Sequence, residues 1–302
     1  MNQLINNNNM KIIVIGKSGQ LAWELAQLSS PEQTIVCLGR DDINLSDVFS
    51  LETMLTQKKA DAVINASAYT AVDKAESDIE NAYALNTKAV GNLAQACKRL
   101  AIPLLHISTD FVFQGDKGSP YLPHDIIKPL GVYGDSKAQG EQLVADIYPE
   151  RSAIIRTSWV YSSHGNNFVK TMLNLMATKP ELGVISDQIG TPTYAKGLAQ
   201  ACLSLLKQQV TGIFHYTDTG VASWYDFAIA IQNFGIELGL LDKKIAIKPI
   251  TTEQYPTPAK RPHYSVLDKS SLIKALPELQ LCHWQAQLKN MMIALKNSAN
   301  QS

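Results

Sequence analysis

The sequence carries no excess of either charge and no long apolar run. Its 27 basic and 27 acidic residues give a formal net charge of zero, which argues against a nucleic-acid-binding surface or a polybasic membrane face. No apolar run reaches the roughly 18 residues that are needed to span a bilayer. We therefore expect neither nucleic acid nor a membrane among the partners of this protein.

Cysteines are few, and the N-terminus shows no targeting signal. Cys37, Cys97, Cys202 and Cys282 are too scattered for a metal-ligand motif or a disulfide framework. Free thiols in a reducing cytoplasm are the expectation. The first residues, MNQLINNNNM, lack the basic and apolar regions of a signal peptide. Residues 1–9 are predicted to be a disordered Asn-rich extension, so the methionine that follows them is an alternative functional start.

Short apolar runs alternate with helical patterns through the first half of the chain. KIIVIG at 11–16 is rich in β-branched residues and ends in glycine, as a buried parallel strand would. Ser46 is predicted to cap a helix over 46–60. The alternation predicts an α/β fold, a Rossmann-type doubly wound parallel sheet with ligand sites beyond the carboxyl ends of its strands. Further strands are predicted at 34–39, 61–67, 102–108 and 152–158, and further helices at about 75–100 and 136–147.

After residue 160 this pattern loosens, and Pro, Thr and Gly become frequent in 180–194 and 243–262. The change predicts two units after the extension. Residues 10–160 would form a nucleotide-binding Rossmann domain. Residues 161–302 would form mostly a smaller C-terminal substrate-binding lobe, with some return to the Rossmann core. Helices are predicted in this half at 165–178, 195–209, 223–238 and 284–297.

A glycine-containing turn, IGKSGQLA at 15–22, follows the first predicted strand. Gly16 and Gly19 stand where backbone amides and a helix N-terminus can face a pyrophosphate. Ala22 takes the third small position, where a larger side chain would push the helix away from the sheet. Because the turn comes directly after a strand, a dinucleotide site is favoured over a tight turn without a ligand.

The tip of the second predicted strand reads Gly39-Arg40 and carries no carboxylate. A carboxylate there would bind a ribose 2′-hydroxyl and repel a 2′-phosphate, whereas the guanidinium of Arg40 matches phosphate oxygens. NADPH is therefore the predicted cofactor, with NADH as an alternative. Arg40 could instead be a surface residue that is balanced by Asp41 and Asp42. Residues 44–47, NLSD, are predicted to line the adenine.

Tyr133 and Lys137 are four residues apart in PLGVYGDSKAQGE, so a helix would place them on one face. Beside a nicotinamide, Tyr133 can protonate the alkoxide that forms when a carbonyl accepts hydride. Lys137 is predicted to lower the pKa of the phenol and to bind the nicotinamide ribose. Thr109, at a strand end in HISTDFVF, is the predicted polarising hydroxyl. Asn86, a poor helix former, either holds a water near Lys137 or is a surface residue.

These segments resemble the dTDP-4-dehydrorhamnose reductase family of extended short-chain dehydrogenases/reductases. The resemblance runs from Met10 to about residue 294. It implies NADPH-dependent reduction of the C4 keto group of dTDP-4-dehydro-L-rhamnose to dTDP-L-rhamnose, a nucleotide sugar for surface polysaccharides. The segments that carry it, in order, are GKSGQLAWEL, NASAYTAVDKAE, STDFVFQG, PLGVYGDSKAQGE, RTSWVY, GNNFVKTML, DQIGTPT, SWYDFA and TPAKRPHYSVL.

The resemblance also implies roles for individual residues. Thr109, Tyr133 and Lys137 match the catalytic trio of the family. The turn after the first strand matches the pyrophosphate loop, and NASAYT contains the segment beside the cofactor. The complete set of predicted cofactor contacts is Gly16, Ser18, Gly19, Gln20, Leu21, Gly39, Arg40, Asn44, Leu45, Ser67, Ala68, Tyr69, Ile107, Tyr133 and Lys137.

The predicted substrate contacts are Thr109 and four further residues. Asp110 and Trp159 match substrate-contacting positions of the family. An aromatic face at a strand end also suits a sugar ring or a base, although a core tryptophan is the alternative. Arg261, in a proline-stiffened loop, is predicted to clamp the substrate diphosphate, with a solvated loop charge as the alternative. Asn167 is expected to shape the same pocket.

The chain departs from the family pattern at several positions. Phe111 stands where the family has Tyr, which removes one hydroxyl from the substrate side, and Tyr69 stands where it has His. Some members hold magnesium with glutamates at a dimer contact. This chain keeps Glu24 but has Lys196 and Ala294 where other acids are expected. We therefore predict no metal site, while a homodimer stays open.

Two other functions use the same scaffold. One is a related nucleotide-sugar reductase, epimerase or 4,6-dehydratase. A dehydratase needs an acid and a base that act at C5 and C6, and Phe111 rather than a glutamate follows Asp110, which disfavours it. The other is an NADP-binding regulatory subunit of the methionine adenosyltransferase type. The fold alone cannot separate these functions, and the intact trio favours the reductase.

Overall fold

A six-stranded parallel sheet forms the centre of the protein, whose structure is a computed structural model that describes residues 9–299. The strands of the chain are β1 (Met10–Ile15), β2 (Gln33–Leu38), β3 (Ala62–Asn65), β4 (Leu104–Thr109), β5 (Ser152–Thr157), β6 (Val160–Tyr161), β7 (Glu181–Ile185), β8 (Ile189–Gly190), β9 (Thr193–Tyr194), β10 (Gly212–His215), β11 (Ala222–Ser223) and β12 (Ala246–Ile250). The main sheet has the order β10-β5-β4-β3-β1-β2. The predicted Asn-rich extension, apart from Asn9, lies outside the described residues.

Helices cover both faces of this sheet. The α-helices of the described chain are α1 (Gln20–Ala26), α2 (Val48–Gln57), α3 (Val72–Ala75), α4 (Ile79–Tyr83), α5 (Ala89–Arg99), α6 (Val132–Ile147), α7 (Phe168–Thr178), α8 (Ala195–Lys207), α9 (Trp224–Glu237), α10 (Ser270–Ala275) and α11 (Trp284–Ala299). Ile12 and Val14 of β1 pack on the face with α1 and α8, while Ile13 and Ile15 pack on the face with α2 and α5. This confirms the predicted doubly wound parallel sheet, since its strands are buried on both sides.

The second half of the chain contributes both to the main sheet with its covering helices and to a separate apolar cluster. β10 pairs with β5 at the edge of the main sheet, and α8 packs on α1. The remaining helices α7, α9 and α11 enclose a separate apolar cluster beside a parallel pair formed by β7 and β12. Sequence reasoning missed three of these strands. β10 has only four residues, and the pairing of β7 with β12 joins segments about sixty residues apart.

Two predicted helices differ from the structure. The helix predicted over 46–60 begins at Val48, and its cap is Asp47 rather than Ser46, because the Asp47 carboxylate accepts from the backbone N–H of Ser50 at 2.7 Å. The helix predicted over 75–100 is broken into α3, α4, a π-helical turn at Ala84–Lys88 and α5. Periodicity does not reveal such a turn, since one inserted residue shifts the helix face without changing composition.

Two expectations about the whole chain can be compared with the structure. The four cysteines are free, as expected. In the part of the chain that is described, none of the helices combines the length and apolar character that crossing a bilayer requires.

Gly140, in the middle of α6, fixes how closely that helix packs. A Cβ at this position would collide with the backbone carbonyl of Asn86 in the π-helical turn. Gly→Ala inside a helix is normally stabilising by about 1 kcal/mol. For Gly140→Ala we expect the opposite sign, a loss of about 2–4 kcal/mol in the free energy of unfolding, because two backbones must separate.

Urea denaturation measures this loss, and Gly118→Ala is the matched control. A Cβ at Gly118 meets nothing within 4 Å, so the control should change stability by less than about 0.5 kcal/mol. Equal stability of the two variants would contradict the proposed backbone contact.

Candidate active site

The predicted site residues converge where β1, β3 and β4 end side by side in the sheet. In the strand register Ile15 lies beside Asn65, and Asn65 lies beside His106. Gly16 has a φ of +121°, and a Cβ there would stand 3.0 Å from the carbonyl of Ala66. Glycine is thus required at position 16 by the close approach of two backbones and by a conformation that L side chains rarely adopt.

Gly19 caps α1 and has a different reason to be glycine. Its φ is −75°, and no side chain caps the helix there. A Cβ at Gly19 would meet only the carbonyl oxygen of Gly16, at 3.8 Å, so packing within the chain does not demand glycine. The helix N-terminus can therefore be approached closely by a pyrophosphate. Ser18 is exposed beside it, while the Leu21 side chain is buried in the core.

At the tip of β2, Arg40 and the acids that follow it take separate roles. The carboxylate of Asp42 accepts from the backbone N–H of Gly39 at 2.9 Å and pairs with Lys17 at 3.4 Å. Arg40 is exposed and forms no ion pair within residues 9–299. The alternative in which Asp42 balances Arg40 is therefore wrong for this carboxylate. Arg40 has its guanidinium available for an anion.

The predicted adenine segment follows at the start of α2. The side chain of Asn44 accepts from the backbone N–H and hydroxyl of Ser46, at 3.0 and 2.7 Å. Leu45 packs against the core, and its carbonyl oxygen accepts from Asn92 at 3.0 Å. Both residues lie in the turn after β2, so they share an edge with Arg40. Their contact with adenine stays a prediction.

The side chain of Asn86 supports the segment after β3. It is buried, and its side-chain oxygen accepts from the backbone N–H of Tyr69 at 2.8 Å. Its amide nitrogen donates to Ser136 of α6 at 3.0 Å. The predicted surface position is wrong, because Asn86 is buried and its polar atoms join the Ser67-Ala68-Tyr69 segment to α6. A water held by Asn86 stays a prediction. The hydroxyl of Tyr69 donates to Asp78 at 2.9 Å.

Thr109 and Asp110 lie at the end of β4 and are buried. The Thr109 hydroxyl donates to Asp110 Oδ1 at 3.0 Å and accepts from the backbone N–H of Phe111 at 3.2 Å. Asp110 Oδ2 finds no hydrogen-bond partner in the described part of the chain. Burial raises the pKa of Asp110 to about 6, against the opposing hydrogen bonds of Ser265 and Thr109. An under-satisfied carboxyl at this place suits a polar ligand.

Tyr133 occupies the first turn of α6, next to Thr109. The start of α6 is held by Glu76, whose carboxylate accepts from the backbone N–H of Val132 at 2.9 Å. The Tyr133 ring packs edge-on against Phe111, with centroids 5.5 Å apart. Burial raises the pKa of Tyr133 to about 12, and the hydrogen bond with Thr109 opposes this shift. At neutral pH the phenol therefore keeps its proton.

Lys137 lies one turn further along α6 and does not act on Tyr133 as predicted. Its ammonium nitrogen lies 2.6 Å from the carbonyl oxygen of Ile107 and 3.3 Å from Nε2 of His106. Burial lowers the pKa of Lys137 to about 8, although Glu141 opposes this. The prediction that Lys137 lowers the pKa of Tyr133 is wrong for this structure, because Lys137 points at β4 instead of at the phenol.

Two predicted substrate residues, Trp159 and Asn167, lie after the end of β5 and directly before α7. Trp159 has a positive φ of 48°, and its ring stacks on Trp224 with centroids 3.6 Å apart. The side chain of Asn167 caps α7 and donates to Gln20 at 2.9 Å. Gln20 therefore links the pyrophosphate turn to the second lobe. The substrate contacts of Trp159 and Asn167 stay predictions.

Arg261 has a different partner from the predicted diphosphate. Its guanidinium is bidentate to the Asp73 carboxylate, at 3.0 and 2.8 Å. Neither a free clamp nor a solvated loop charge describes this ion pair, which ties the loop that contains Arg261 to α3. A role for Arg261 on a diphosphate requires the pair with Asp73 to open.

Two residues of α1, Ala22 and Glu24, are buried in the structure. Ala22 is completely buried, which agrees with the need for a small residue where α1 meets the sheet. Glu24 is buried, and its carboxylate accepts from the Ser162 hydroxyl at 2.7 Å. Burial raises the pKa of Glu24, while Ser162 and the charge of Lys196 oppose the shift. The predicted lack of a metal stays a prediction.

Sequence reasoning missed two polar residues at the centre of the site. His106 of β4 is fully buried, and Nδ1 of its ring lies 3.1 Å from the amide nitrogen of Asn65 at the end of β3. Both occur within runs that read as ordinary buried strands. The available signal was the presence of a polar side chain inside such a run, since a buried polar group must have partners.

The chain matches the family described as RmlD substrate binding domain over residues 10–297. A dTDP-4-dehydrorhamnose reductase of Aggregatibacter actinomycetemcomitans is 39% identical over 289 residues, which cover 93% of this chain and 98% of that protein. The crystal structure of a dTDP-4-dehydrorhamnose reductase from Clostridium acetobutylicum has a TM-score of 0.89 and 37% identity, and the match covers 95% of this chain and 100% of that one. That of the Bacillus anthracis reductase, in complex with NADP, has a TM-score of 0.89 and 32% identity, with 95% and 99% covered.

The parallel sheet and the glycine turn after β1 define a Rossmann-type nucleotide-binding fold. Within that class, the similarity extends over nearly the whole chain and over the whole length of its relatives. The chain belongs to the dTDP-4-dehydrorhamnose reductase family.

The raised pKa of Asp110 predicts a pH-dependent cost in stability. The unfolded chain releases this proton near pH 4, whereas the native state holds it up to about pH 6. Stability contributed by the bound proton is therefore lost as the pH rises from about 4 to about 6. Asp110→Asn removes this titration. The free energy of unfolding of Asp110→Asn, relative to that of wild type, should therefore be about 2–3 kcal/mol greater at pH 8 than at pH 4.

Urea denaturation of both proteins at pH 4 and pH 8 tests this expectation. A difference between wild type and Asp110→Asn that is the same at both pH values would show that ionisation of Asp110 carries no cost in the native state.

Proposed function

We propose that this chain reduces the C4 keto group of dTDP-4-dehydro-L-rhamnose with NADPH and releases dTDP-L-rhamnose. The observation that carries the proposal is the arrangement of Thr109, Tyr133 and Lys137 where β4 ends, beside a glycine turn that leaves a helix N-terminus open to a pyrophosphate. Relatives with this name align over almost the full chain.

The proposed reaction needs a hydride and a proton. Bound NADPH supplies the hydride to C4 of the sugar. Tyr133 supplies the proton to the O4 atom, so the carbonyl becomes a hydroxyl and the phenol becomes a phenolate. Because burial raises the pKa of Tyr133 to about 12, this residue holds the proton at neutral pH until an alkoxide forms. Solvent then restores the phenol.

Thr109 has two roles in the proposal. It is proposed to accept a hydrogen bond from Tyr133 when substrate is bound, which would orient the phenol, and its own proton points to Asp110. An ionised carboxylate only accepts, so Thr109 must turn its proton away from Asp110 before it can polarise the substrate carbonyl. Below about pH 6 this becomes easier, since a protonated Asp110 no longer needs the donor.

The cofactor is proposed to follow the edge formed by the strand ends of β1, β2 and β3. Gly16 and Gly19 allow the backbone to approach the pyrophosphate, and Arg40 supplies a positive charge for the 2′-phosphate. Ser67, Ala68 and Tyr69 are partly exposed along this edge and suit the middle of the dinucleotide. Ile107 and Lys137 lie at its nicotinamide end.

The substrate is proposed to bind between the strand ends and the second lobe, against Asp110 and Trp159. Asn167 contributes indirectly, because it positions Gln20 and the start of α7. Arg261 would reach the diphosphate only after release from Asp73. We retain a cytoplasmic location and the absence of nucleic-acid and membrane partners as parts of the proposal, and a homodimer as an open alternative.

The central experiment compares wild type with Tyr133→Phe. NADPH oxidation is followed by absorbance with dTDP-4-dehydro-L-rhamnose generated in situ. Loss of the general acid should lower kcat by about 100- to 10,000-fold, while the Kd for NADPH stays unchanged, because the phenyl ring is retained.

Tyr83→Phe is the matched control, since the Tyr83 hydroxyl bonds Asp135 on another side of α6. It should keep wild-type activity. Tight NADPH binding without turnover by wild type would overturn the proposal and favour a different nucleotide sugar or the regulatory-subunit function.

Arg40→Ala tests the cofactor assignment. Removing a charge-assisted contact to the 2′-phosphate should raise the Kd for NADPH by about 10- to 100-fold. NADH lacks that phosphate, so its Kd should stay the same and serves as the internal control. Equal effects on both cofactors, or none on either, would remove Arg40 from the 2′-phosphate site.

A further inference from the structure

A buried chain of hydrogen bonds connects the cofactor segment after β3 to Lys137. Ser67 donates to Asn65 Oδ1 from its backbone N–H at 3.2 Å and from its hydroxyl at 2.7 Å. The Asn65 amide nitrogen lies 3.1 Å from Nδ1 of His106. Nε2 of the same ring lies 3.3 Å from Nζ of Lys137. Asn65, His106 and Lys137 are all at most 2% exposed, so water cannot replace these partners.

The donor and acceptor in each hydrogen bond of this series follow from the backbone N–H of Ser67, where the series begins. A backbone N–H can only donate, so the Asn65 atom that faces Ser67 must be the oxygen. The other end of the amide is then the nitrogen, and it must donate to His106. Nδ1 of His106 therefore accepts and carries no proton. Complete burial lowers the pKa of His106 well below its ordinary value, so the ring is neutral, and a charge on Lys137 would lower this pKa further.

A neutral ring without a proton on Nδ1 carries its proton on Nε2. That N–H points at Nζ of Lys137. An ammonium group would place a second donor against it, whereas an uncharged amine would accept the hydrogen bond and could still donate to Ile107. The geometry thus disfavours a charge on Lys137 in the absence of a cofactor, in keeping with the lowered pKa of this residue, about 8.

We propose that His106 is a positioning residue of the reductase: fixed by Asn65 as the Nε2–H tautomer, it holds Lys137 against β4 and sets the protonation state in which Lys137 meets the cofactor. The inference rests on the proposed role of Lys137. It assigns a function to a residue that touches neither cofactor nor substrate. Ser67 belongs to the predicted cofactor segment, so a cofactor bound there would contact the residue at which this series of hydrogen bonds begins.

The other groups around Lys137 do not supply this effect. Glu141, one turn further along α6, favours the charged form of Lys137, but its carboxylate is bound to Arg156 of β5 at 2.6 Å. Tyr133 lies one turn before Lys137, with Asp110 beyond it. On the remaining neighbours of α6, Glu76, directly after α3, caps the helix start, and Tyr83 of α4 bonds Asp135. Burial is the main reason that the pKa of Lys137 falls to about 8.

The tautomer can be observed directly by NMR of ¹⁵N-histidine-labelled protein without cofactor. His215 provides an internal reference, because its Nδ1 lies 3.0 Å from the carbonyl oxygen of Tyr121, which can only accept. His215 must therefore carry its proton on Nδ1. We expect two buried neutral rings of opposite tautomer, and the resonance that disappears in His106→Gln should be the Nε2–H form. An Nδ1–H or a doubly protonated ring for His106 would overturn the proposal.

The functional consequence is a shift in the pH profile. If activity needs charged Lys137, kcat/KM of wild type falls as the pH rises through about 8. In His106→Gln the side-chain oxygen can accept from the ammonium group. The alkaline limb should therefore move upward by about one pH unit. A merely structural role would lower kcat/KM equally at every pH and leave the limb in place, and that outcome would overturn the proposal.

His215→Gln is the matched control for loss of a buried histidine beside a cation. His215 is fully buried in β10, and its Nε2 lies 3.4 Å from Arg156. Its substitution should leave the alkaline limb where it is in wild type. An equal shift in both variants would show that the effect is general and would overturn the assignment to His106.

Lys137→Met separates this inference from the proposed function. Unchanged turnover in that variant would remove Lys137 from the reaction, yet the tautomer of His106 would still be read by NMR. Loss of turnover together with an Nδ1–H ring would instead retain the reductase and reject the positioning role of His106.

Discussion

The close contact between α6 and the backbone beside it is the constraint on which the site depends. A Cβ at Gly134 would collide with the carbonyl oxygen of Phe111, and a Cβ at Gly140 would collide with that of Asn86. These glycines let α6 approach the end of β4 and the π-helical turn more closely than side chains allow. Tyr133 immediately precedes the first of these contacts, and Lys137 lies between the two. Their distance from Thr109 is therefore set by backbone packing rather than by flexible side chains.

The π-helical turn at Ala84–Lys88 completes this arrangement. The turn directs Asn86 and Thr87 toward α6, where Asn86 donates to the Ser136 hydroxyl and Thr87 donates to the Ser136 carbonyl oxygen at 2.7 Å. Asn86 also holds the backbone of Tyr69. One irregular turn thus connects the segment after β3 to the helix that carries the proposed acid. Such turns are frequently found at functional sites, since an inserted residue re-aims neighbouring side chains.

Sequence alone could predict the features that depend on local pattern. The buried strands β1 to β5, the glycine turn and the shared face of Tyr133 and Lys137 follow from periodicity and spacing. The features that it could not predict depend on distant partners. Arg261 meets Asp73 across 188 residues of sequence, and Asp42 pairs with Lys17 instead of Arg40. Likewise, the direction in which Lys137 points is decided by Ile107 and His106, which no spacing rule places beside it.

The position of Lys137 affects the protonation state of Tyr133, and reduction and oxidation need different protonation states of this phenol. Reduction needs a Tyr133 that still carries its proton, and burial without a neighbouring positive charge keeps the phenol protonated. Oxidation of an alcohol would need the phenolate instead, which a charged Lys137 close to Tyr133 would stabilise. By holding Lys137 against the carbonyl of Ile107 and the ring of His106, the fold favours the acid form of Tyr133 before a cofactor arrives. Before a cofactor arrives, the site therefore holds Tyr133 in the protonated form that reduction requires.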